Sequence, residues 1–502
     1  MRNEGLGSWP ARRARRSPDR VALIYQGRTV TYRRLHLRVL RLAHNLRELG
    51  VRRGDRVAYL GPNHPSFLEA FFATGLLGGV FVPLNTRLTA AEIDYQVADS
   101  AASALLHTPS HDALVRSLTA GPRVLLSVVE PPEPPEPSYE PIDEPVALDD
   151  TCMIMYTSGT TGRPKGAMLT HGGVTWNSVD VMIDQDLTAA DVALAAAPLF
   201  HTAGLNMVAL PMLLKGGTCV VVPAFDPEET LDLIERHQIT TMFGVPTMFE
   251  QVARSRRWAD ADLSSLRLLT CGGAPVPPSL IAAYADRGLA LVQGYGLTEA
   301  GPAASFLDPG SAAAKAGSAG TPHFFTDVRV AGPDHAETPP GEIGEILVKG
   351  PHVMSGYWGL PAETARAFAD GWLRTGDAAR RDEDGHVYVV DRVKDMIISG
   401  GENIYPAEVE QVIMAEPDVV DCAVIGVPDD TWGEVGRAIV VPRPGSELTE
   451  AGLLAALDGR LARYKIPKSV VLADVIPRNP TGKSRKDRLR EAYGGVTPGR
   501  RA

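Results

Sequence analysis

The apolar residues of this chain fall in short strand-like runs separated by amphipathic stretches. The runs are Val57–Leu60, Val80–Val82, Ala104–Leu106, Cys152–Tyr156, Cys219–Val222, Leu266–Thr270 and Ala290–Val292. Between them, segments such as Glu228–His237 and Pro278–Arg287 carry apolar residues at helical spacing. Strand and helix in alternation predict an α/β fold with parallel sheets covered on both faces. Such sheets bind ligands at the loops leaving the carboxyl ends of their strands. The most apolar stretch, Phe67 to Pro83, contains Glu69 and is broken by glycines, which predicts a buried helix running into a strand rather than a membrane span. From Gly341 onwards short strands and turns take over (GEIGEILVKG, GHVYVVD), predicting a small β-barrel-like subdomain. After Arg392 a new run begins that is long enough for a domain of its own.

Composition narrows this picture. A chain of 502 residues exceeds what one hydrophobic core supports, so at least two domains are expected, with a boundary at 391–394 separating 1–390 from 395–502. The net charge of -10 argues against a nucleic-acid-binding surface. The one basic cluster, Arg12, Arg13, Arg15, Arg16 and Arg20, reads as solvated helix surface, with contact to anionic lipid as the other reading. Cys152, Cys219, Cys271 and Cys422 are far apart, which excludes a zinc-finger spacing and fits a reducing cytoplasm. The opening MRNEGLGSWPARRARRSP has no apolar segment of the signal-peptide kind, so no integral membrane association is expected. Residues 130–145, rich in Pro and Glu, read as an exposed extended connection.

The strongest local signal is Thr157-Ser-Gly-Thr-Thr-Gly-Arg-Pro-Lys-Gly166, directly after the apolar strand Cys152–Tyr156. Its glycines let backbone approach a ligand closely, while its hydroxyls and Lys165 are donors suited to phosphate oxygens. The spacing is not that of a Walker A loop. The string resembles the phosphate-loop signature of the acyl-adenylate-forming (AMP-binding) superfamily, which includes acyl-CoA synthetases and peptide-synthetase adenylation domains. That resemblance implies nucleotide contacts from Thr157, Ser158, Gly159, Thr160, Thr161 and Lys165.

Further segments resemble the same superfamily in the same order. Pro198-Leu-Phe-His201 resembles the segment whose histidine lies near the acyl carboxylate. Gly272, Gly273, Ala274 and Pro275 resemble the adenine-side loop. Gly294-Tyr-Gly-Leu-Thr-Glu299 resembles the loop that gives adenine an aromatic face (Tyr295, Gly296), the α-phosphate a threonine (Thr298) and magnesium a carboxylate (Glu299). Trp372-Leu-Arg-Thr-Gly-Asp377 resembles the segment whose aspartate holds the ribose hydroxyls, and Arg392 the residue at the ribose or phosphate edge. Pro480-Thr-Gly-Lys483 resembles the loop carrying the catalytic lysine. By the same resemblance Lys394 is the hinge, Gly400 and Gly401 flank the pantetheine tunnel, and Trp432, Tyr464 and Lys468 stand where related ligases contact CoA. The implied fold has two doubly wound α/β sheets and the β-rich subdomain in a large N-terminal domain, and a small mobile α+β C-terminal domain. The implied cofactors are ATP, Mg2+ and coenzyme A, and homodimerisation is left open.

The chemistry of each residue type fits those roles. A carboxylate is a poor acyl electrophile, so its oxygen attacks the α-phosphorus of ATP, and the repulsion between two anions is the obstacle. Lys165, the loop amides and a magnesium ion at Glu299 can spread the charge of the leaving pyrophosphate. Lys483 can bridge carboxylate and α-phosphate as a point charge. Asp377, an acceptor with two oxygens, suits two ribose hydroxyls.

By the same resemblance the acyl pocket is expected from Phe200, Ala203, Gly204, Phe243, Val245, Gly272, Gly294 and Ala303, a largely apolar set. A buried amine would be unpaired there, and no arginine awaits a second carboxylate, so an apolar or aromatic monocarboxylic acid is left. Thr202, Asn206 and Ser305 are candidates for a phenolic hydroxyl. The segments APLFH, FGVPTMF, CGGAPVP and QGYGLTEA resemble bacterial feruloyl-CoA synthetases, which implies ferulate, p-coumarate or caffeate as substrate. Medium- and long-chain fatty acyl-CoA synthetases share much of this text, and a ligase loading a carrier protein is the remaining alternative.

Overall fold

The computed structural model describes residues 3–122, 124–127, 139–157, 163–392, 395–399, 402–458, 460–479 and 482–495. The chain divides into two compact units, one of residues 1–328 with 347–374 and one of 329–346 with 375–502.

The first unit is built on two mainly parallel sheets. The nine-stranded sheet has the spatial order Thr321–Pro322, Ala303–Phe306, Leu291–Gly296, Leu268–Gly272, Thr241–Gly244, Val192–Ala195, Thr218–Val221, Val21–Tyr25, Arg28–Thr31. The seven-stranded sheet runs Gly356–Tyr357, Lys165–Thr170, Thr151–Thr157, Val80–Leu84, Arg56–Leu60, Ala104–His107, Val124–Ser127. The expected runs Val57–Leu60, Val80–Val82, Ala104–Leu106 and Cys152–Tyr156 lie within strands that extend them by one or two residues. Cys219–Val222, Leu266–Thr270 and Ala290–Val292 overlap Thr218–Val221, Leu268–Gly272 and Leu291–Gly296 with their ends offset by one to four residues. The β-rich part comprises the strands Asp327–Ala331, Ile343–Lys349, Phe368–Ala369, Trp372–Arg381 and Val387–Arg392, of which residues 329–346 and 375–392 belong to the second unit.

Local chemistry explains the helices between the strands. Pro227–His237 begins with Asp226, whose carboxylate accepts from Glu229 N at 2.8 Å, and with a proline that needs no hydrogen-bond partner at that position. Its apolar stripe, Leu231 and Ile234, packs with Phe249, Leu269 and Tyr284 into the core beside the nine-stranded sheet. The helix Pro65–Leu76 is buried on every side, its one carboxylate, Glu69, paired with Arg38 at 3.2 Å. Among the described residues no helix is long and apolar enough to cross a membrane.

The basic cluster has a structural use. Arg13 donates to the carbonyl of Leu214, and Arg20 to those of Ala189 and Gly216 at 3.1 and 3.3 Å. Two of the arginines thus satisfy carbonyls in and around the end of the helix Leu210–Lys215, which its own hydrogen bonds leave open. Arg15 and Arg16 remain exposed.

The second unit is α+β. Its sheet of Glu402–Ile404, Ile397–Ser399, Gly433–Pro442, Val419–Asp429 and Ser469–Leu472 is covered by Pro406–Met414 and Glu450–Leu457 through Val409, Ile413, Leu453 and Leu457. The helix Lys486–Tyr493 packs on the other face through Leu489.

Candidate active site

In the first unit, strand pairing assembles a polar line at the end of the hydroxyl-rich loop. Thr157 lies opposite Lys165 across the antiparallel pair that the loop connects. The two-residue strand Gly356–Tyr357 adds to the same edge, with Tyr357 opposite Ala167. Thr157 Oγ1 and Tyr357 Oη both donate to Glu299 Oε1, each at 3.0 Å. Lys165 Nζ lies 5.3 Å from the centre of the Tyr357 ring and 2.5 Å from Glu363 Oε2. The Lys165 hydrogen bond and charge, with help from Arg366, hold the Glu363 carboxyl below the usual range. Neither Tyr357 nor Glu363 was singled out by the sequence. Each is distant along the chain from the loop it serves, and only the pairing of the short strand brings it there.

Thr298 and Glu299 sit in a turn immediately after strand Leu291–Gly296, fixed by Met354 N donating to the Glu299 carbonyl at 2.9 Å. A side chain at Gly296 would place a Cβ 1.6 Å from the Pro302 carbonyl oxygen, so only glycine fits. Tyr295 is half-buried, opposite Ser305 on the neighbouring strand, while Gly273 and Ala274 are exposed on the loop leaving Leu268–Gly272.

Four of the acyl-pocket candidates, Phe243, Val245, Gly272 and Gly294, lie beside these loops. A Cβ built on Gly272 would meet the Gly294 carbonyl at 2.8 Å and the Phe243 ring at 3.4 Å, and one on Gly273 would meet Val245 at 3.6 Å. His201 and Phe200 are half-buried, their rings 5.2 Å apart. Beyond His201 the chain turns through Thr202–Gly204 and a π-helical turn, Leu205–Ala209, before Leu210–Lys215. Pro211 lacks the N–H that would bond the Met207 carbonyl, which favours the wider turn. Gly204 permits the tight approach, since a Cβ there would lie 2.4 Å from the Pro198 carbonyl oxygen. Asn206 Nδ2 donates to the Gly301 carbonyl at 2.8 Å. Asn177 ties the same segments together, donating to the Asn206 carbonyl at 2.8 Å and accepting from Ala303 N at 3.0 Å.

A small recess is lined by residues including Gln185, Met207, Met212, Phe243 and Thr270. Thr202 Oγ1 and Asn206 Oδ1 are buried without a hydrogen-bond partner among the described residues. Ser305, the third candidate for a phenolic hydroxyl, already donates to the Ala319 carbonyl at 2.9 Å.

In the second unit, Asp377 and Arg392 face each other across paired strands, with Arg392 Nε 2.7 Å from Asp377 Oδ1. Asp391 accepts from Ala407 N at 2.7 Å, and Asp395 pairs with Arg490 at 2.8 Å, so fixed residues flank the expected hinge. Lys483 is exposed, and Asn479 Oδ1 accepts its N–H at 2.9 Å. Trp432 is 49% exposed in the turn between the two long strands, which excludes a core role, and Tyr464 and Lys468 are also exposed. The Lys468 N–H bonds the Gly436 carbonyl at 2.8 Å. Ser158, Gly159, Thr160, Thr161, Lys394, Gly400 and Gly401 lie outside the described residues.

Glu299 suits a magnesium ion. Its side-chain hydrogen bonds among the described residues come from two neutral hydroxyls, which leave its charge uncompensated. Among the described residues no cluster of three or more His, Cys, Asp or Glu gathers. A single carboxylate together with phosphate and water oxygens is a ligand set that magnesium accepts.

A mainly parallel two-sheet unit with this polar line, followed by a small α+β unit, is the architecture of an adenylate-forming enzyme. The chain belongs to the AMP-binding enzyme family: residues 10–358 match that family and 408–483 match its C-terminal domain. It is 58% identical to a feruloyl-CoA synthase of Amycolatopsis over 98% of this chain and 100% of that one. Among solved structures it resembles ATP-bound MatB from Rhodopseudomonas palustris (34% identity, TM-score 0.88, covering 97% and 99% of the two chains). It also resembles O-succinylbenzoate coenzyme A synthetase from Bacillus subtilis in complex with ATP and magnesium ion (34% identity, TM-score 0.86, covering 96% and 99%).

Proposed function

We propose that this protein joins a hydroxycinnamic acid, such as ferulate, p-coumarate or caffeate, to coenzyme A through an acyl-adenylate, using ATP and Mg2+. In the first step a carboxylate oxygen bonds to the α-phosphorus and pyrophosphate leaves. Lys165 and the hydroxyls and amides of the 157–161 loop carry the charge of the leaving group, and Thr298 holds the α-phosphate. Tyr295 and the Gly273–Ala274 loop receive adenine. Asp377, oriented by Arg392, receives the ribose hydroxyls. Lys483 steadies the two anions as they meet. Magnesium at Glu299 would neutralise phosphate charge.

In the second step the CoA thiol attacks the acyl carbonyl and AMP leaves. Movement about Lys394 withdraws Lys483 and presents Gly400 and Gly401 to pantetheine, with Trp432, Tyr464 and Lys468 toward the nucleotide of CoA. His201, with Phe200, borders the acyl carboxylate. The reducing cytoplasm suits the chain's four cysteines, all free buried thiols.

The observation that carries the choice of acid is the 58% identity to feruloyl-CoA synthase across essentially the whole chain. The unpartnered Thr202 and Asn206 oxygens support it, because a buried polar atom without a partner is costly and a plain alkyl chain would leave both so. Measuring AMP release with and without CoA on ferulate, p-coumarate, benzoate and octanoate tests the reading. Strong CoA-dependent turnover on the first two is expected. Preference for octanoate would move the substrate to fatty acids, and acyl-adenylate without CoA thioester would favour a carrier-protein acceptor.

A further inference from the structure

Lys165 is held by a residue outside the phosphate loop. Its side chain is 12% exposed, so its ammonium is largely removed from water and would be costly to leave unpaired. Glu363, in the first turn of the helix Pro361–Ala367, supplies the counter-charge at 2.5 Å. The other carboxylate oxygen of Glu363 already lies 2.6 Å from Arg366, an exposed residue one turn further on. The carboxylate can therefore let go of Lys165 and keep an ionic partner. Tyr357 lies beneath the ammonium and also bonds Glu299, so the lysine keeps its seat on the ring when the ion pair opens.

We propose that Glu363 is a releasable counter-ion, occupying Lys165 when no nucleotide is bound and yielding it to the phosphates of ATP. The proposal rests on the reading of Lys165 as a phosphate ligand. An incoming polyphosphate carries several negative charges against one on Glu363 and wins the lysine. When pyrophosphate departs, Glu363 recaptures the ammonium and lowers the affinity that would otherwise retain the product. Glu363 touches no reacting atom and acts only through Lys165.

The sign of the effect is the test. Equilibrium titration of E363Q with ATP and with inorganic pyrophosphate should show each binding about two- to fivefold tighter than to the unaltered protein, the range of a partly exposed ion pair. Thioester formation from supplied acyl-adenylate should be unchanged. In a K165M background the gain from E363Q should vanish. Unchanged or weaker binding by E363Q overturns the proposal, as does a gain that persists with K165M. E363A gives a second variant with the same expected direction should E363Q fold poorly. If K165M alone leaves ATP binding unaltered, the phosphate role of Lys165 fails instead, and the two failures are distinguishable.

Discussion

Asp377 and Arg392 are direct cross-strand neighbours, with the Arg392 Nε 2.7 Å from Asp377 Oδ1 and the aspartate only 5% exposed. On the proposed reading of Asp377 as the ribose acceptor, the pairing fixes the orientation of the carboxylate beforehand, so little ordering remains to be done on binding. D377N keeps the shape but loses the charge. The KM for ATP should rise about ten- to a hundredfold, the loss of charged hydrogen bonds to two hydroxyls. Steady-state kinetics with ATP varied checks this, and an unaltered KM would remove Asp377 from the nucleotide site.

Lys483→Ala should lose acyl-adenylate formation by about a hundredfold or more, as removal of a preorganised charge at the transition state does. Conversion of supplied acyl-adenylate and CoA to thioester should persist. Equal loss in both half-reactions would show that the lysine does not belong to the first step alone.

Lys394→Pro tests the hinge. Fixing φ there should spare pyrophosphate exchange and slow thioester formation. Full overall turnover in this variant would place the pivot elsewhere.

Asn177 is fully buried and joins two segments proposed for the acyl pocket, through the Asn206 carbonyl and the Ala303 N–H. Asn177→Ala would orphan both backbone groups. We expect a loss of about 2 kcal/mol or more in stability together with a raised KM for the acid. Chemical denaturation and acid-varied kinetics read the two effects, and a change in stability without one in KM would detach Asn177 from the pocket.

His171 accepts a hydrogen bond from Leu6 N on Nδ1 at 3.1 Å, and burial pushes its pKa down to about 4 against the opposing pull of Asp150. The neutral ring is the form the fold favours. Its contribution is therefore full above the unfolded value near 6.5 and declines as pH falls towards 4. Between pH 6.5 and 5 this amounts to about 2 kcal/mol of lost stability. Urea unfolding of H171N, which keeps an acceptor but cannot titrate, should show a smaller decline over that interval, and an identical pH profile would rule the residue out.

The amino-acid sequence by itself determined the alternation of strands and helices and the loops on which the nucleotide-binding candidates lie. Those features depend on neighbours within a turn or on a periodicity of two or three and a half, and such information is local. It also carried the identity of Lys165, Glu299, Asp377 and Lys483 as chemical candidates, because their motifs are contiguous strings. Tertiary structure alone decided which side chains meet. Lys165 and Glu363 are 198 positions apart, and no local pattern couples them. Arg13 and Arg20 read as surface charge until the end of a distant helix presented its open carbonyls to them. The compact units divide at 328/329, 346/347 and 374/375, since contacts and not sequence adjacency define them. Long-range ion pairs and strand neighbours arise only when buried apolar faces have chosen their partners, and that choice is a property of the packed whole.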